Sequence, residues 1–135
     1  MYPPKRTKYR KQQKGRAKSV ESNQSTLSFG KYGIRALESG RLRLNTIEAV
    51  RRVITRKLRR SGQVWIRVYP DISVSAKPLE VRMGKGKGSP SYWMCRIKSG
   101  QLLYEIDGVS RILAKQASLL AASKLPFAVH FSSSN

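Results

Sequence analysis

Residues 45–71 read NTIEAVRRVITRKLRRSGQVWIRVYPD, and one periodicity gives way to another inside them. Ile47, Val50, Ile54 and Leu58 fall three and four apart, with Val53 beside them, as on the buried face of a helix. Asn45 with Glu48 three residues on has the spacing of a capping box, and Gly62 is placed to stop the helix. Beyond it Val64, Ile66 and Val68 alternate with Trp65, Arg67 and Tyr69, a strand that Pro70-Asp71 ends. The other side of the helix carries Arg51, Arg52, Arg56, Lys57, Arg59 and Arg60, with no acid after Glu48. A merely solvated helix face mixes its signs. This one reads as a surface for anions.

Working outward, LSFGKYGIRAL (Leu27 to Leu37) alternates as a strand, with Leu27, Phe29, Tyr32, Ile34 and Ala36 as its buried side. Gly30 and Gly33 suggest a bulge or a close approach. Downstream, a short strand around Ser73–Lys77 leads through Pro78 into RMGKGKGSP, a long excursion from Arg82 to Pro90. YWMCRIK and LLYEID follow as strands joined by a tight turn at Ser99-Gly100. VSRILAKQASLLAASK is a second helix, with Val109, Leu113, Ala117, Leu120 and Ala121 as its stripe and Leu125-Pro126 as its end. FAVHF makes a last strand before a Ser-rich end expected to fray. Several connections are too short for a parallel crossover. The expected fold class is α+β, a mainly antiparallel sheet packed with two helices.

Composition bounds the partner. The chain of 135 residues has 28 Lys and Arg against 7 Asp and Glu, a formal net charge of +21, so a polyanion is the default partner. No apolar run approaches the roughly 18 residues of a membrane span. The N-terminus lacks an apolar h-region, so neither a membrane nor a secretory route is expected. Residues 1–20 hold eight Lys and Arg and no acid. We therefore expect a basic RNA-binding arm over residues 1–26, with Tyr2 and Tyr9 available for stacking on bases, followed by a single domain over 27–135.

No chemistry of the catalytic kind emerges. A Walker loop requires a lysine after its last glycine and a helix next, whereas here lysines sit between strictly alternate glycines and a strand follows. His130 and Cys95 are single copies without partners for a dyad or a metal, and Cys95 reads as a small core filler. Glu105 and Asp107 lie two apart on a strand, with no second base in view, and Asp107 suits the turn into the second helix. We expect no catalytic residue, no metal and no cofactor. Arm, arginine helix and glycine loop together suit a large folded RNA, since no recognition helix or dimer seam for duplex DNA is visible. A free-standing RNA chaperone or nucleic-acid-coating protein is the alternative.

Three stretches carry a family resemblance: PKRTKYRKQQKGR near the start, RRVITRKLRRSGQVWIRVYPD in the middle, and KPLEVRMGKGKGSPSYW with LYEIDGV after it. From about Pro4 to Pro126 the chain resembles the bacterial-type large-subunit ribosomal protein sixteen family. The resemblance implies a structural, non-enzymatic component of the large subunit, seated on its ribosomal RNA beside the cleft where aminoacyl-tRNA enters, and active in assembly and tRNA positioning. It implies neighbouring large-subunit proteins as partners and no homo-oligomer. In this sequence the matching arm residues are Lys5, Arg6, Lys8, Arg10, Lys11, Lys14 and Arg16. The helix matches at Glu48, Ala49, Arg51, Arg52, Thr55 and Arg56, and we add Arg59 and Arg60 to the RNA-facing set. The loop that faces tRNA and the peptidyl-transferase centre in the family corresponds to Arg82, Met83, Gly84, Lys85, Gly86, Lys87 and Gly88. Departures at Val50, Leu44-Asn45-Thr46 and the AVHFSSSN end leave the cations intact, and ALESGRL departs from the plastid pattern. A mitochondrial ribosome is therefore favoured over a bacterial one.

Overall fold

The computed structural model describes residues 1–21 and 25–134. In chain order the elements are β1 (Tyr32–Ala36), β2 (Gly40–Arg43), α1 (Leu44–Lys57), β3 (Gln63–Ile66) and β4 (Ile72–Ala76). Then come β5 (Ser89–Ile97), β6 (Leu102–Asp107), α2 (Arg111–Ala122) and β7 (Val129–Ser133). The α+β class holds, but the strands divide into two antiparallel sheets: β3-β6-β1-β7 and β2-β5-β4.

The division corrects the expected hairpin at Ser99-Gly100. Gly100, at φ +85°, turns the chain out of one sheet and into the other. Its amide donates to the Ala36 carbonyl (2.8 Å), Ala36 N donates to Gln101 O (2.9 Å), and the Ser99 hydroxyl donates to Leu37 O (2.7 Å). The turn is thus satisfied by the end of β1, and β5 and β6 do not pair.

β6 is one of the two inner strands of the larger sheet, and Leu102 to Ile106 are fully buried. The Tyr104 hydroxyl donates to the Ile47 carbonyl at 2.9 Å, which fixes α1 over the sheet. Ile47, Val50 and Ile54 of α1 and Ala114, Ala117 and Ala121 of α2 join the same core. Alanines at the contact let two helices approach closely. The stripe on α2 is rotated from the one expected: Leu113 is half-buried and Leu120 is 45 % exposed, whereas Ala114 and Ser118 point inward. Ser110 caps this helix by accepting from Leu113 N.

Several boundaries differ for identifiable reasons. The first strand begins at Tyr32 because residues 28–30 turn their amides onto the Glu105 carboxylate, which leaves Phe29 58 % exposed. Gly30 is the close approach expected, since a Cβ there would stand 2.7 Å from Ile106 O. A register shift between Ile34 and Arg35 supplies the bulge. Asn45 does not cap α1: β2 runs straight into the helix, Arg43 is the N-cap without a side-chain bond, and Asn45 is already helical. The helix also stops before Gly62. Arg59 N bonds Arg56 O and Arg60 N bonds Thr55 O, a Schellman ending in which Arg59 (φ 51°) and Arg60 (φ 63°) take the left-handed positions that usually go to glycine. At the far end β7 continues through Ser132 and Ser133, paired with Gly33 and Tyr32, and Ser134 N bonds Lys31 O. The expected fraying is not seen as far as Ser134; Asn135 lies outside the described residues.

Candidate nucleic-acid interface

The arginine face of α1 is held in place by one carboxylate. Glu48 accepts from Arg51 Nη2 (2.6 Å) and Nε (3.0 Å), from Arg52 Nε (3.2 Å) and from the amino terminus of Met1 (3.4 Å). The Arg51 hydrogen bond, opposed by partial burial, pulls its carboxyl down to about 2. Among the described residues the C-terminal half has no such carboxylate partner. Arg51, Arg52, Thr55, Arg56, Arg59 and Arg60 wall a shallow hollow of about 570 Å³. The left-handed turn at the helix end brings the last two back beside the others. Guanidinium groups arrayed this way match phosphate oxygens in fork geometry.

The arm carries no helix among its described residues, and its contact with a strand-like ladder is one parallel bridge from Val20 to Ser99. Residues 22–24 of the arm expected over 1–26 lie outside the described residues. Lys5, Arg6, Lys8, Arg10, Lys11, Lys14 and Arg16 are all exposed, as are Tyr2 and Tyr9. Yet the arm lies on the domain rather than free of it. Ser73 in the edge strand β4 donates through N to Gln12 Oε1 (3.1 Å) and through its hydroxyl to Arg10 O (2.8 Å). The arm thereby covers a sheet edge that would otherwise invite pairing.

The glycine-lysine loop connects β4 to β5 and projects from their end. Residues 82–87 are exposed, with Met83 fully so. Gly84 (φ 97°), Lys85 (φ 57°) and Gly86 (φ 83°) make the ribbon, and nothing lies within 4 Å of where a Cβ on Gly84 or Gly86 would be. At the base Gly88 is pressed against Ala76, whose carbonyl oxygen would be 2.5 Å from a Cβ. Arm and loop clasp each other there: Lys11 Nζ donates to Lys87 O (2.7 Å) and Lys87 Nζ to Gln12 O (2.7 Å). The arm therefore runs from Glu48 on α1 to the loop, and brings the three expected displays into one strip.

Cations that the sequence reading passed over extend it. Arg41 of β2 faces Arg96 of β5 across the smaller sheet, a like-charge pair that destabilises a sheet unless an anion joins it. Arg41 Nη2 donates to Gly15 O (2.7 Å), and Arg43 lies over the Tyr92 ring, 4.4 Å from its centroid. Arg67, Arg96 and Lys98, together with the arm's own Arg16, line a second hollow of about 570 Å³ under the arm. The period-two pattern RLRL at residues 41–44 was the available signal.

The titratable groups considered for chemistry serve the fold. Glu105 is fully buried and accepts from Phe29 N and Gly30 N (2.7 Å each), from Ser28 N (3.2 Å) and from Arg67. Burial raises its pKa, but the three amides and Arg67 outweigh it and hold the carboxyl below its usual value. Asp107 accepts from Gly108 N in the turn before α2. Cys95 is buried with Sγ 3.7 Å from Leu42 O, and burial pushes its thiol up to about 12. His130 lies exposed on β7. Among the described residues no group of three metal-binding side chains converges.

Comparison with known proteins identifies the family. The family described as Ribosomal protein L16p/L10e matches residues 4–132. "Large ribosomal subunit protein uL16m" of Prototheca wickerhamii is 58 % identical over 131 residues, covering 97 % of each chain. "Large ribosomal subunit protein uL16" of Sinorhizobium medicae is 56 % identical over 131 residues, covering 97 % of this chain and 96 % of the relative. That of Psychrobacter arcticus is 55 % identical over 127 residues, covering 94 % and 93 %.

Proposed function

As the chain belongs to the ribosomal protein L16p/L10e family, we propose that it is a structural constituent of the large ribosomal subunit, and that its cations hold large-subunit ribosomal RNA from several sides. A ribosomal protein of this kind is not an enzyme. Relatives named for mitochondrial and bacterial ribosomes are equally compatible with the chain, and the mitochondrial setting is the one we favour.

The observation that carries the RNA reading is the fate of the charge. The ion pairs among the described residues occupy Arg51, Arg52, Arg67 and Lys98, and most of the 28 Lys and Arg face solvent without a carboxylate. Residues 1–26 act as the RNA-binding arm of the domain formed by residues 27–135. Arg51, Arg52, Arg56, Arg59 and Arg60 take phosphates on α1. The loop from Arg82 to Gly88 reaches past the domain towards tRNA near the peptidyl-transferase centre, where Lys85 and Lys87 meet phosphates and Met83 meets a base or sugar. Its reach follows from glycine, which removes bulk and permits positive φ at the tip. The chain acts as a single copy in this setting.

Crosslinking to RNA in gently lysed cells, followed by sequencing of the attached RNA, tests this. Large-subunit ribosomal RNA should dominate, with contacts at tRNA-proximal positions lost in Lys85→Ala/Lys87→Ala. Scattered contacts over many transcripts, insensitive to the loop, would favour the free RNA chaperone instead.

A further inference from the structure

The phosphate hollow of α1 has a neighbour of different chemistry. Between α1 and α2 runs a groove of about 870 Å³ whose walls include Val53, Leu113 and Leu120. Arg56, Lys57, Arg59 and Lys124 stand around it. Beside the groove α2 leaves Ile112 73 % and Leu119 64 % exposed. Residues 112 and 119 lie seven apart on the helix, as do 113 and 120, so the four form two adjacent apolar rows along one side.

RNA has little use for such rows. A phosphate backbone gains nothing from Ile112 or Leu119, whereas the hollow on the other flank is walled by arginine and threonine alone. Apolar rows at this spacing, bordered by charge of one sign, are what an amphipathic helix of the opposite sign fills. We propose that this groove docks an acidic amphipathic segment of a neighbouring ribosomal protein. Its apolar residues seat on Val53, Leu113 and Leu120, and its carboxylates meet Arg56, Lys57 and Lys124. Charge decides the occupant: a second copy would bring another +21 to a cationic rim. Arg56 and Arg59 border both the hollow and the groove, so RNA and the protein partner would meet along the end of α1. The proposal rests on the ribosomal setting argued above and adds to it where the protein neighbour sits.

A photoreactive benzoyl-phenylalanine in place of Leu120, in large subunits purified by sedimentation and then irradiated, tests it. The expected adduct is with one acidic segment of another subunit protein that has apolar residues three and four apart. Its yield should drop roughly fivefold or more in Lys57→Glu/Lys124→Glu, and also when the unaltered rim is screened at about 0.5 M salt. The salt arm gives the same reading should the charge-reversed chain fail to fold. Adducts to RNA, to a second copy or to a segment without acids overturn the proposal, as does no adduct in subunits that hold the chain. A chain absent from the subunits would overturn the ribosomal setting itself, and the proposal with it, which is a different result from a seated chain whose groove crosslinks to RNA.

Discussion

Arg59 and Arg60 are a place where folding and binding should pull in opposite directions. Both hold positive φ, 51° and 63°, at the Schellman end of α1. A residue with a Cβ gives up about 1–2 kcal/mol to sit there. Glycine avoids that cost but loses about 0.5–1 kcal/mol to its greater freedom when unfolded. Arg59→Gly and Arg60→Gly should thus each stabilise the free chain by about 0.5–1 kcal/mol. The arginines also favour the negative end of the helix dipole, by about 0.3–1 kcal/mol at low salt, so melting belongs in moderate salt where that contribution is screened. At about 3 °C per kcal/mol for a chain of this length, the double variant should melt roughly 3–6 °C higher. Binding should move the other way: losing two phosphate contacts flattens the plot of log K against log salt by about 1.5. Gly62→Ala is the control, because there φ is +69° and a Cβ would stand 2.3 Å from Asp107 O; it should destabilise by about 2 kcal/mol or more. A lower Tm in the double variant, with the salt slope unchanged, would mean that these arginines hold the helix end and do not serve RNA.

Glu105→Gln should lower Tm by roughly 10 °C, since it removes the charge that holds Arg67 and the amides of residues 28–30, a loss of about 3 kcal/mol; an unchanged melt would refute that role. Acid should act on the same groups. Both the Glu105 and the Glu48 carboxyl are held low, so their stabilisation is complete above the unfolded value near 4.5 and fades as pH falls through the folded values, which for Glu48 is about 2. Glu48→Gln should remove about 1–2 kcal/mol of that dependence in urea titrations between neutral and acid pH, allowing for exposed Arg52. Lys85→Ala/Lys87→Ala should leave Tm within about 1 °C and reduce the salt slope by about 1.5; a large loss of stability would make the clasp with the arm structural. Cys95, its thiol pushed up to about 12, should react with a disulfide reagent only as fast as the chain opens, and fast labelling of folded protein would contradict its burial.

How much of this was legible in the sequence depended on whether the deciding contact was local. The apolar periodicity of α1 and the alternation that begins at Val64 are local, and both elements appeared there, although β3 ends at Ile66 rather than running on to Pro70. The boundaries that moved were set by partners distant in the chain. Residues 28–30 leave the ladder because Glu105, 75–77 positions away, gathers their amides. The turn at Gly100 opens between two sheets because Ala36 and Leu37 satisfy it. No spacing rule in the single sequence encodes either contact. The capping box failed for another reason: β2 leads directly into α1, so Asn45 falls inside the helix and Glu48 is left to gather cations. Among the site residues the cation types were legible and their assembly was not. The arm was expected as a basic RNA-binding segment ahead of the domain, and its contacts with that domain, Met1 to Glu48 and Lys87 to the Gln12 carbonyl, had no signal in the sequence.

That assembly bears on how a chain of net charge +21 folds before it meets RNA. Of its seven acids, Glu38, Asp71 and Glu80 are exposed and too few to neutralise it, and two others have ordering roles. Glu105 lies in the core and Glu48 under the arginines, each ordering backbone or cations nearby. Four of the cations at the strip find neutral acceptors: Lys11 bonds the carbonyl of Lys87, Lys87 that of Gln12, Lys77 that of Gly84, and Arg41 that of Gly15. A carbonyl is a weaker acceptor for a cation than a charged oxygen. These bonds are strong enough to lay the arm and the loop base along one face, and weak enough for phosphates to replace them one at a time. RNA then meets a surface whose cations are already aligned, and each exchange gains a charge-assisted bond while the carbonyl returns to water. Ordering of the arm and loop on RNA is accordingly expected to be stepwise, starting at the arginine hollow of α1, where no internal acceptor competes for Arg56, Arg59 and Arg60 among the described residues.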